Sequence, residues 1–210
     1  MFHVPCHMKA VRLGEEMLAR FWDEEDGAFF TSSRTSESQE QLFARTKDFS
    51  ERGLPSGNGV AFLDIVELAQ FTENPLFEKA ATKIRMALAC LISPQDVNER
   101  WAYPSLLCTA HYLLAGVREI VLSGKRGDPV LEAMVSEVHR RFLPAKILLL
   151  AGSAAEAASL SRLVPFIEGK DPLDGKATAY ISKKGACERP ARDLETLKTQ
   201  LNELCSTGPR

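Results

Sequence analysis

A long run of apolar residues after residue 59 constrains the fold of this chain more than any other feature of its sequence. The run follows a turn at residues 54–59 (Leu-Pro-Ser-Gly-Asn-Gly), and its spacing predicts a helix that ends near Phe71. The apolar positions cover much more than one face of this helix: Val60, Phe62, Leu63, Ile65, Val66, Leu68, Ala69 and Phe71. A helix that is apolar over most of its circumference is enclosed by other protein segments, so the sequence predicts a core built around it.

Three further segments in the first half of the chain have helical periodicity, at residues 10–22, 75–91 and 103–116. Asn74 and Pro75 supply an N-cap and a first helical residue, which marks the start of the second of these helices. Short turns separate the later helices. This arrangement is typical of antiparallel helical hairpins packed in a helix-on-helix layer.

The pattern changes at about Val117, where short apolar strands begin to alternate with helices. Strands are predicted at residues 118–124, 147–150 and 178–182, and a helix that opens at Asp128 lies between the first two. A strand, a helix and a strand in this order predict two parallel strands joined by a crossover.

These two patterns predict a mainly α fold with two regions. Residues 1–116 form helical hairpins, and residues 117–210 form a small α/β element that ends in a helix capped by Asp193. We expect the second region to pack on the first as one structural unit.

Composition excludes several classes of function. The chain has 26 basic and 28 acidic residues, a formal net charge of −2, and no surplus of positive charge for nucleic acid or an anionic membrane. No segment approaches the roughly 18 apolar residues of a membrane helix, and the first residues lack the apolar core of a signal peptide. Five scattered cysteines, none in a Cys-x-x-Cys pair, predict a reducing compartment and hence a cytoplasmic location: Cys6, Cys90, Cys108, Cys187 and Cys205.

Several short motifs, taken together and in order, resemble one family. They lie at residues 26–30, 45–49, 54–61, 118–124 and 178–190. The most specific is the Pro-Ser-Gly-Asn turn that opens the apolar helix, and the second is the closing run with Ala-Tyr, Cys187 and Pro190. Their order and spacing resemble the C-terminal portion of the YyaL-like family, whose animal members are called spermatogenesis-associated protein 20.

This resemblance implies an architecture that the chain covers only in part. Members of the family begin with a thioredoxin-like domain and continue into an (α/α) toroid of the six-hairpin glycosidase and sugar-epimerase type. The resemblance therefore implies a partial toroid without the thioredoxin-like domain, as in a truncated or split member or a separately encoded C-terminal module. Gly59 and Ser182 depart from the family pattern, which predicts serine and cysteine at these positions.

Five polar residues around the Pro-Ser-Gly-Asn turn are the candidate ligand-binding residues: Arg45, Lys47, Asp48, Ser56 and Asn58. In a toroid, loops at the N-termini of helices face the central cavity, where Arg45 and Lys47 could bind sugar hydroxyls or carboxylates. Asp48 could accept hydrogen bonds or act as a general base. The plainer interpretation is a solvated charge cluster, with Ser56 and Asn58 as caps of the following helix and Gly57 and Gly59 permitting close approach.

A cysteine and a pair of carboxylates are further candidate functional groups. Cys187 lies near Lys183, Lys184 and Arg189, whose charges favour the reactive thiolate, although packing under a turn is the commoner role of such a residue. Asp64 and Glu67 are one turn apart on the polar stripe of the apolar helix, where they could face a cavity, as a glycosidase-like pair would, although a solvated edge is the commoner case.

The remaining cysteines and the histidines predict structural roles. Cys90 and Cys108 fall on apolar helix faces, so we expect both thiols in the core. His3 and His7 lie at the start of the chain, where we expect fraying. The sequence contains no metal-binding signature, and we predict no metal and no cofactor.

Three functions follow from these observations. The first is a non-catalytic module that packs with itself or with a separate chain supplying the rest of the toroid. The second is a carbohydrate-binding or carbohydrate-active protein with a small sugar ligand in the toroid cavity. The third is a redox accessory protein that acts through Cys187. We favour the first, because a full sugar pocket needs several hairpins and a redox site of this family needs a Cys-x-x-Cys pair.

Overall fold

A computed structural model of the chain describes residues 4–34, 44–51, 53–92, 103–183 and 186–206. These residues are mainly helical, with seven α-helices and a small sheet portion, which confirms the predicted mainly α class. The chain divides into two compact units, a helical unit at Pro5–Leu113 and an α/β unit that begins at Leu114. None of the helices in the described ranges is both long and apolar enough to cross a bilayer.

Four helices and a two-stranded ribbon build the helical unit. The elements, in chain order, are helix α1 (Val4–Phe21), strands β1 (Trp22–Asp23) and β2 (Ala28–Phe29), and helices α2 (Gly57–Thr72), α3 (Pro75–Leu91) and α4 (Pro104–Ala115). Strands β1 and β2 pair in antiparallel register. Helix α4 ends two residues beyond the boundary of the unit.

Helix α2 is the apolar helix predicted from the sequence. Ser56 caps it, because the Ser56 hydroxyl accepts the Gly59 N–H at 3.0 Å. Phe62 and Ile65 are fully buried, which confirms the predicted enclosure along most of the helix. The prediction is wrong at Val60, whose side chain is 46% exposed.

Helix α3 packs against α2 and begins as predicted, with Asn74 accepting the Leu76 N–H at 3.0 Å and Pro75 in the first turn. Its inner face buries Phe77 and Ile84. The prediction that Cys90 and Cys108 lie in the core is wrong: both thiols are exposed, because they lie on the outer faces of α3 and α4.

Helix α1 begins at Val4, six residues before the predicted start. His7, which we expected in a frayed segment, is instead a buried helical residue whose ring lies 5.5 Å from that of Phe71. The early start is compatible with Pro5, because proline is tolerated in the first turn of a helix. His3 lies outside the described residues.

In its described residues the α/β unit has four strands and three α-helices. Its elements are β3 (Arg118–Ser123), α5 (Pro129–His139), β4 (Lys146–Ala151), α6 (Ala154–Ser161), β5 (Thr178–Lys183), β6 (Ala186–Cys187) and α7 (Leu194–Ser206). The sheet order is β4-β3-β5-β6. Strands β3 and β4 are parallel, as the strand-helix-strand pattern predicts, whereas β5 is antiparallel to β3.

Helices α5 and α7 supply the core on the sheet. Met134 and Val138 of α5 and Leu197 and Leu201 of α7 pack in one cluster with apolar residues of β3 and β5. Asp128 and Asp193 cap these helices as predicted.

Phe142 lies beyond the end of α5 and outside its buried face. Its side chain is 88% exposed, because the helix ends at His139 and the residues that follow leave the helical register. Helix α6 was not predicted. The packing of the two regions as one structural unit stays a prediction.

Candidate functional site

The five predicted ligand-binding residues lie together in the helical unit, around strand β2 and Phe30. We call them the ribbon cluster: Arg45, Lys47, Asp48, Ser56 and Asn58. Two of them, Arg45 and Lys47, lie over the Phe30 ring, with the Arg45 guanidinium 3.9 Å and the Lys47 ammonium 4.8 Å from its centroid. The segment that carries them therefore packs on the ribbon formed by β1 and β2.

Asn58 is the buried centre of the ribbon cluster, with only 3% of its surface exposed. Its Oδ1 accepts the Phe29 N–H at 2.7 Å, and its Nδ2 donates to the Phe29 carbonyl at 2.9 Å and the Asp48 carbonyl at 3.0 Å. The amide thus pairs with both backbone groups of Phe29, as a neighbouring strand would. The prediction that Asn58 caps α2 is wrong, since that hydrogen bond comes from Ser56.

Arg45 binds backbone carbonyls on two sides of the ribbon. Its guanidinium donates to the Ser32 carbonyl at 2.6 Å and to the Arg20 carbonyl at 3.3 Å. Arg20 lies in the last turn of α1, where carbonyl groups lack helical partners and attract positive charge. Arg45 therefore holds its own segment to the C-terminal end of α1.

Lys47 lies between two carboxylates. Its ammonium donates to Asp23 and, at 2.5 Å, to Asp26. Burial alone would lower the pKa of Lys47, but hydrogen bonds to Asp23 and Asp26 outweigh it and raise the pKa. The hydrogen bond from Lys47 lowers the pKa of Asp23 in turn. The charge of this lysine is therefore matched inside the protein.

Asp48 forms a local turn with the residue two positions further on. Its Oδ1 accepts the Ser50 N–H at 3.0 Å and the Ser50 hydroxyl at 2.8 Å. Hydrogen bonds of the ribbon cluster therefore hold residues 44–51 to the ribbon and start α2. A role of these residues in ligand binding stays a prediction.

Glu51 connects the same segment to the start of α4, a contact that sequence reasoning missed. Its Oε1 accepts the Ser105 N–H at 2.9 Å and also the Ser105 hydroxyl. Helix α2 comes close to this point, because a Cβ atom on Gly59 would lie 1.8 Å from Ser105 Oγ. The glycine found in place of the expected serine accommodates this approach. A Cβ atom on Gly57 would meet nothing within 4 Å, so the predicted close approach is wrong at that position.

A cleft between α1 and α2 brings together a second set of polar residues. This α1–α2 cleft has a volume of about 330 Å³, and its walls carry His7, Leu13, Gly14, Met17, Asp64, Glu67, Leu68 and Phe71. Asp64 and Glu67 both line this cleft, and Asp64 is also exposed, so the cavity and the solvated edge are both present at this pair. Burial raises the pKa of both carboxyl groups, and the charge of Asp64 raises that of Glu67 further.

Cys187 is exposed on β6, where it pairs in register with Ser182 of β5. The Lys170 ammonium donates to Ser182 Oγ at 2.7 Å, so a lysine that is distant in sequence lies beside the Cys187 strand pair. Burial lowers the pKa of Lys170, while the charges of Cys187 and Glu119 oppose the shift. Lys184 lies outside the described residues. A redox role of Cys187 stays a prediction.

Comparison with known proteins finds relatives in three mammals, all called spermatogenesis-associated protein 20. The human protein is 28% identical over 193 residues, the mouse protein 27% over 194 and the rat protein 26% over 194. Each match covers 92% of this chain and 24% of the relative. The chain therefore spans about a quarter of the length of the curated relatives it matches, and the similarity is distant and partial. No family model and no solved structure matches the chain.

Proposed function

We propose that this chain is a non-catalytic module of helical hairpins, equivalent to the C-terminal part of a YyaL-like toroid, that packs against further helices. Its similarity to spermatogenesis-associated protein 20 covers 92% of the chain but 24% of the relatives. A chain of this kind shares its fold with one part of a longer protein. The further helices would come from a separate chain or from a second copy of this one.

Exposed apolar side chains in the helical unit carry this proposal. Among the described residues of this unit, eight large apolar ones are more than a third exposed: Met8, Leu13, Leu54, Val60, Leu76, Met86, Leu91 and Leu107. They lie on all four helices and on the turn before α2. Single exposed apolar residues are common on protein surfaces. Here they occur on every helix of the helical unit, as expected of a helical layer that is covered by other helices.

The ribbon cluster supports a structural role rather than catalysis. Asn58, Arg45 and Lys47 direct their polar atoms at groups of the same chain, at distances typical of hydrogen bonds. Each of these contacts holds a loop or a helix end in place. The observed hydrogen bonds account for these three side chains without a substrate.

Size-exclusion chromatography with light scattering, followed by a urea melt on the same sample, tests the proposal. We expect self-association at micromolar concentration or a broad unfolding transition, because apolar faces remain uncovered in the isolated chain. A monomer with one sharp transition would overturn the proposal.

Two variants locate the surface responsible. Met86 is 67% exposed on α3, so Met86→Lys should leave the fold intact and shift the chain towards monomer. Phe142→Lys removes an even more exposed apolar group, 88% against 67%, from the α/β unit and should leave self-association unchanged. If Phe142→Lys dissociates the chain and Met86→Lys does not, association through the helical unit is wrong.

A further inference from the structure

The α1–α2 cleft has the size and shape of a site for a small ligand. Its volume of about 330 Å³ lies at the lower end of the range of roughly 300–1,000 Å³ that is usual for ligand pockets. Helix α1 forms one wall and α2 the other, so two packed helices, and not mobile loops, define its shape.

The charge of the cleft is unbalanced. Asp64 and Glu67 are three positions apart on α2, where side chains lie on neighbouring parts of one helix face. Neither makes a hydrogen bond or an ion pair with any of the residues that the structure describes. Two adjacent carboxylates without a cation repel each other, and a positively charged ligand would relieve that repulsion.

The other walls of the cleft are mainly hydrocarbon, and His7 of α1 is a further polar residue of the lining. Leu13 and Met17 on α1 and Leu68 and Phe71 on α2 provide apolar surface. The Phe71 ring can also attract a cation through its face. A ligand that matches both features has a positively charged head and an apolar chain.

A metal ion fits this site less well. Calcium takes six or more oxygen ligands, and magnesium takes an octahedral set. Within the described ranges, no group of three or more His, Cys, Asp or Glu side chains could hold a metal ion. An anion would be repelled, and a neutral sugar would leave both carboxylates without a counter-charge.

We propose that the α1–α2 cleft binds a primary alkylamine, with the ammonium group at Asp64 and Glu67 and the hydrocarbon chain against Leu13, Met17 and Phe71. The three N–H donors of a primary ammonium group can serve both carboxylates at once. This site is separate from the ribbon cluster, but it shares Leu13 with the exposed apolar residues of the proposed packing surface, so the ligand and the packing helices would compete for that side chain.

Titration of the ¹⁵N-labelled full chain with hexylamine, followed by NMR, tests this proposal. Hexan-1-ol and hexanoate, which have the same chain with a neutral or a negative head, are titrated in parallel at the same pH and ionic strength. We expect saturable shifts of amide signals from α1 and α2 with hexylamine, binding weaker by about tenfold or more with hexan-1-ol, and none with hexanoate. Equal binding of the amine and the alcohol would overturn the proposal.

Neutral variants test how much the charges of Asp64 and Glu67 contribute to the affinity for hexylamine. Asp64→Asn and Glu67→Gln keep the side-chain shapes and should each weaken hexylamine binding by about tenfold. Glu78→Gln, an exposed change on α3 away from the cleft, should leave the affinity unchanged. The proposal is wrong if both cleft variants bind hexylamine as the unaltered chain does, or if glucose shifts the α1 and α2 signals and hexylamine does not.

Discussion

Helix α2 contributes to two polar regions that differ in how their charges are balanced. Its first turn belongs to the ribbon cluster, where Lys47 is paired with Asp23 and Asp26 and where Asn58 is bonded to Phe29 and Asp48. Its second half lines the α1–α2 cleft, where Asp64 and Glu67 have no hydrogen-bonding or ionic partner among the described residues.

This difference separates polar residues that hold the fold from polar residues that are available for binding. In the ribbon cluster each polar group stabilises a loop or a helix end, so removing one leaves its partner unsatisfied, and in the case of Asn58 that partner is buried. In the cleft the ionised carboxylates disfavour the folded state slightly, so removing one relieves repulsion. Substitutions in the two regions are therefore expected to have opposite signs.

The largest effect is expected at Asn58. Asn58→Ala leaves the N–H and carbonyl of Phe29 and the carbonyl of Asp48 without their partner, so we expect a loss of about 2–4 kcal/mol in the free energy of unfolding. Equilibrium unfolding in urea, monitored by circular dichroism, measures this loss.

Asn74→Ala is the matched control, because Asn74 makes one exposed capping hydrogen bond. Its loss should cost only about 1 kcal/mol. Asn58→Asp keeps the acceptor for the Phe29 N–H but buries a carboxylate oxygen against the carbonyl oxygens of Phe29 and Asp48, so it should cost at least as much as Asn58→Ala. If Asn58→Ala costs no more than Asn74→Ala, the buried amide does not organise the ribbon cluster.

A smaller loss is expected at Lys47. Lys47→Met leaves Asp23 and Asp26 without their cation, and we expect a cost of about 1–2 kcal/mol at pH 7. The pKa of Asp23 is lowered by Lys47, so the stabilisation is present above the ordinary value of 3.8 and is lost as the pH falls through the lowered value. Urea melts between pH 7 and pH 3 follow the difference between the two proteins.

Lys79→Met is the control for this pair. Lys79 lies 3.4 Å from Glu24, and both side chains are more than half exposed, so its removal should cost less than about 0.5 kcal/mol. If Lys47→Met lowers the free energy of unfolding no more than Lys79→Met does, or if its effect is unchanged at pH 3, then Asp23 and Asp26 do not stabilise the fold by balancing the charge of Lys47.

Local signals predicted much of the fold. Caps at Ser56, Asn74 and Asp128 mark the starts of α2, α3 and α5, and apolar periodicity predicts the buried faces of the first two. Cap and helix are close in sequence, so their interaction depends little on the rest of the chain. The strand-helix-strand pattern likewise predicts the parallel pair of β3 and β4, because three consecutive elements form one local unit.

Contacts between distant residues could not be predicted in this way. Asn58 reaches Phe29 across 29 positions, and Glu51 reaches Ser105 across 54. A single sequence shows which residues are polar but not which backbone groups the fold brings to them. The residue types of the ribbon cluster were therefore identified, whereas its hydrogen bonds and the lysine beside Cys187 were not.

The smallest effect, with the opposite sign, is expected at Glu67. Glu67→Gln removes one of two adjacent charges from the cleft and should raise the free energy of unfolding at pH 7 by a few tenths of a kcal/mol, at most about 1. Because the folded-state pKa of Glu67 is raised, its ionised form disfavours folding above that value. The gain should therefore shrink as the pH falls and vanish below the ordinary value of 4.5.

The pH dependence distinguishes the two regions even if the effects are small. As the pH falls, the gain of Glu67→Gln shrinks and has vanished by pH 4.5, whereas the cost of Lys47→Met persists down to pH 3.8 and fades only below it. Glu78→Gln changes an exposed carboxylate in the first turn of α3, where the helix dipole favours a negative charge, so it should lower the free energy of unfolding by about 0.3–1 kcal/mol, opposite in sign to Glu67→Gln. A loss of stability for Glu67→Gln at pH 7 would mean that Glu67 already has a favourable partner in the folded chain, and the cleft would then resemble the ribbon cluster instead of contrasting with it.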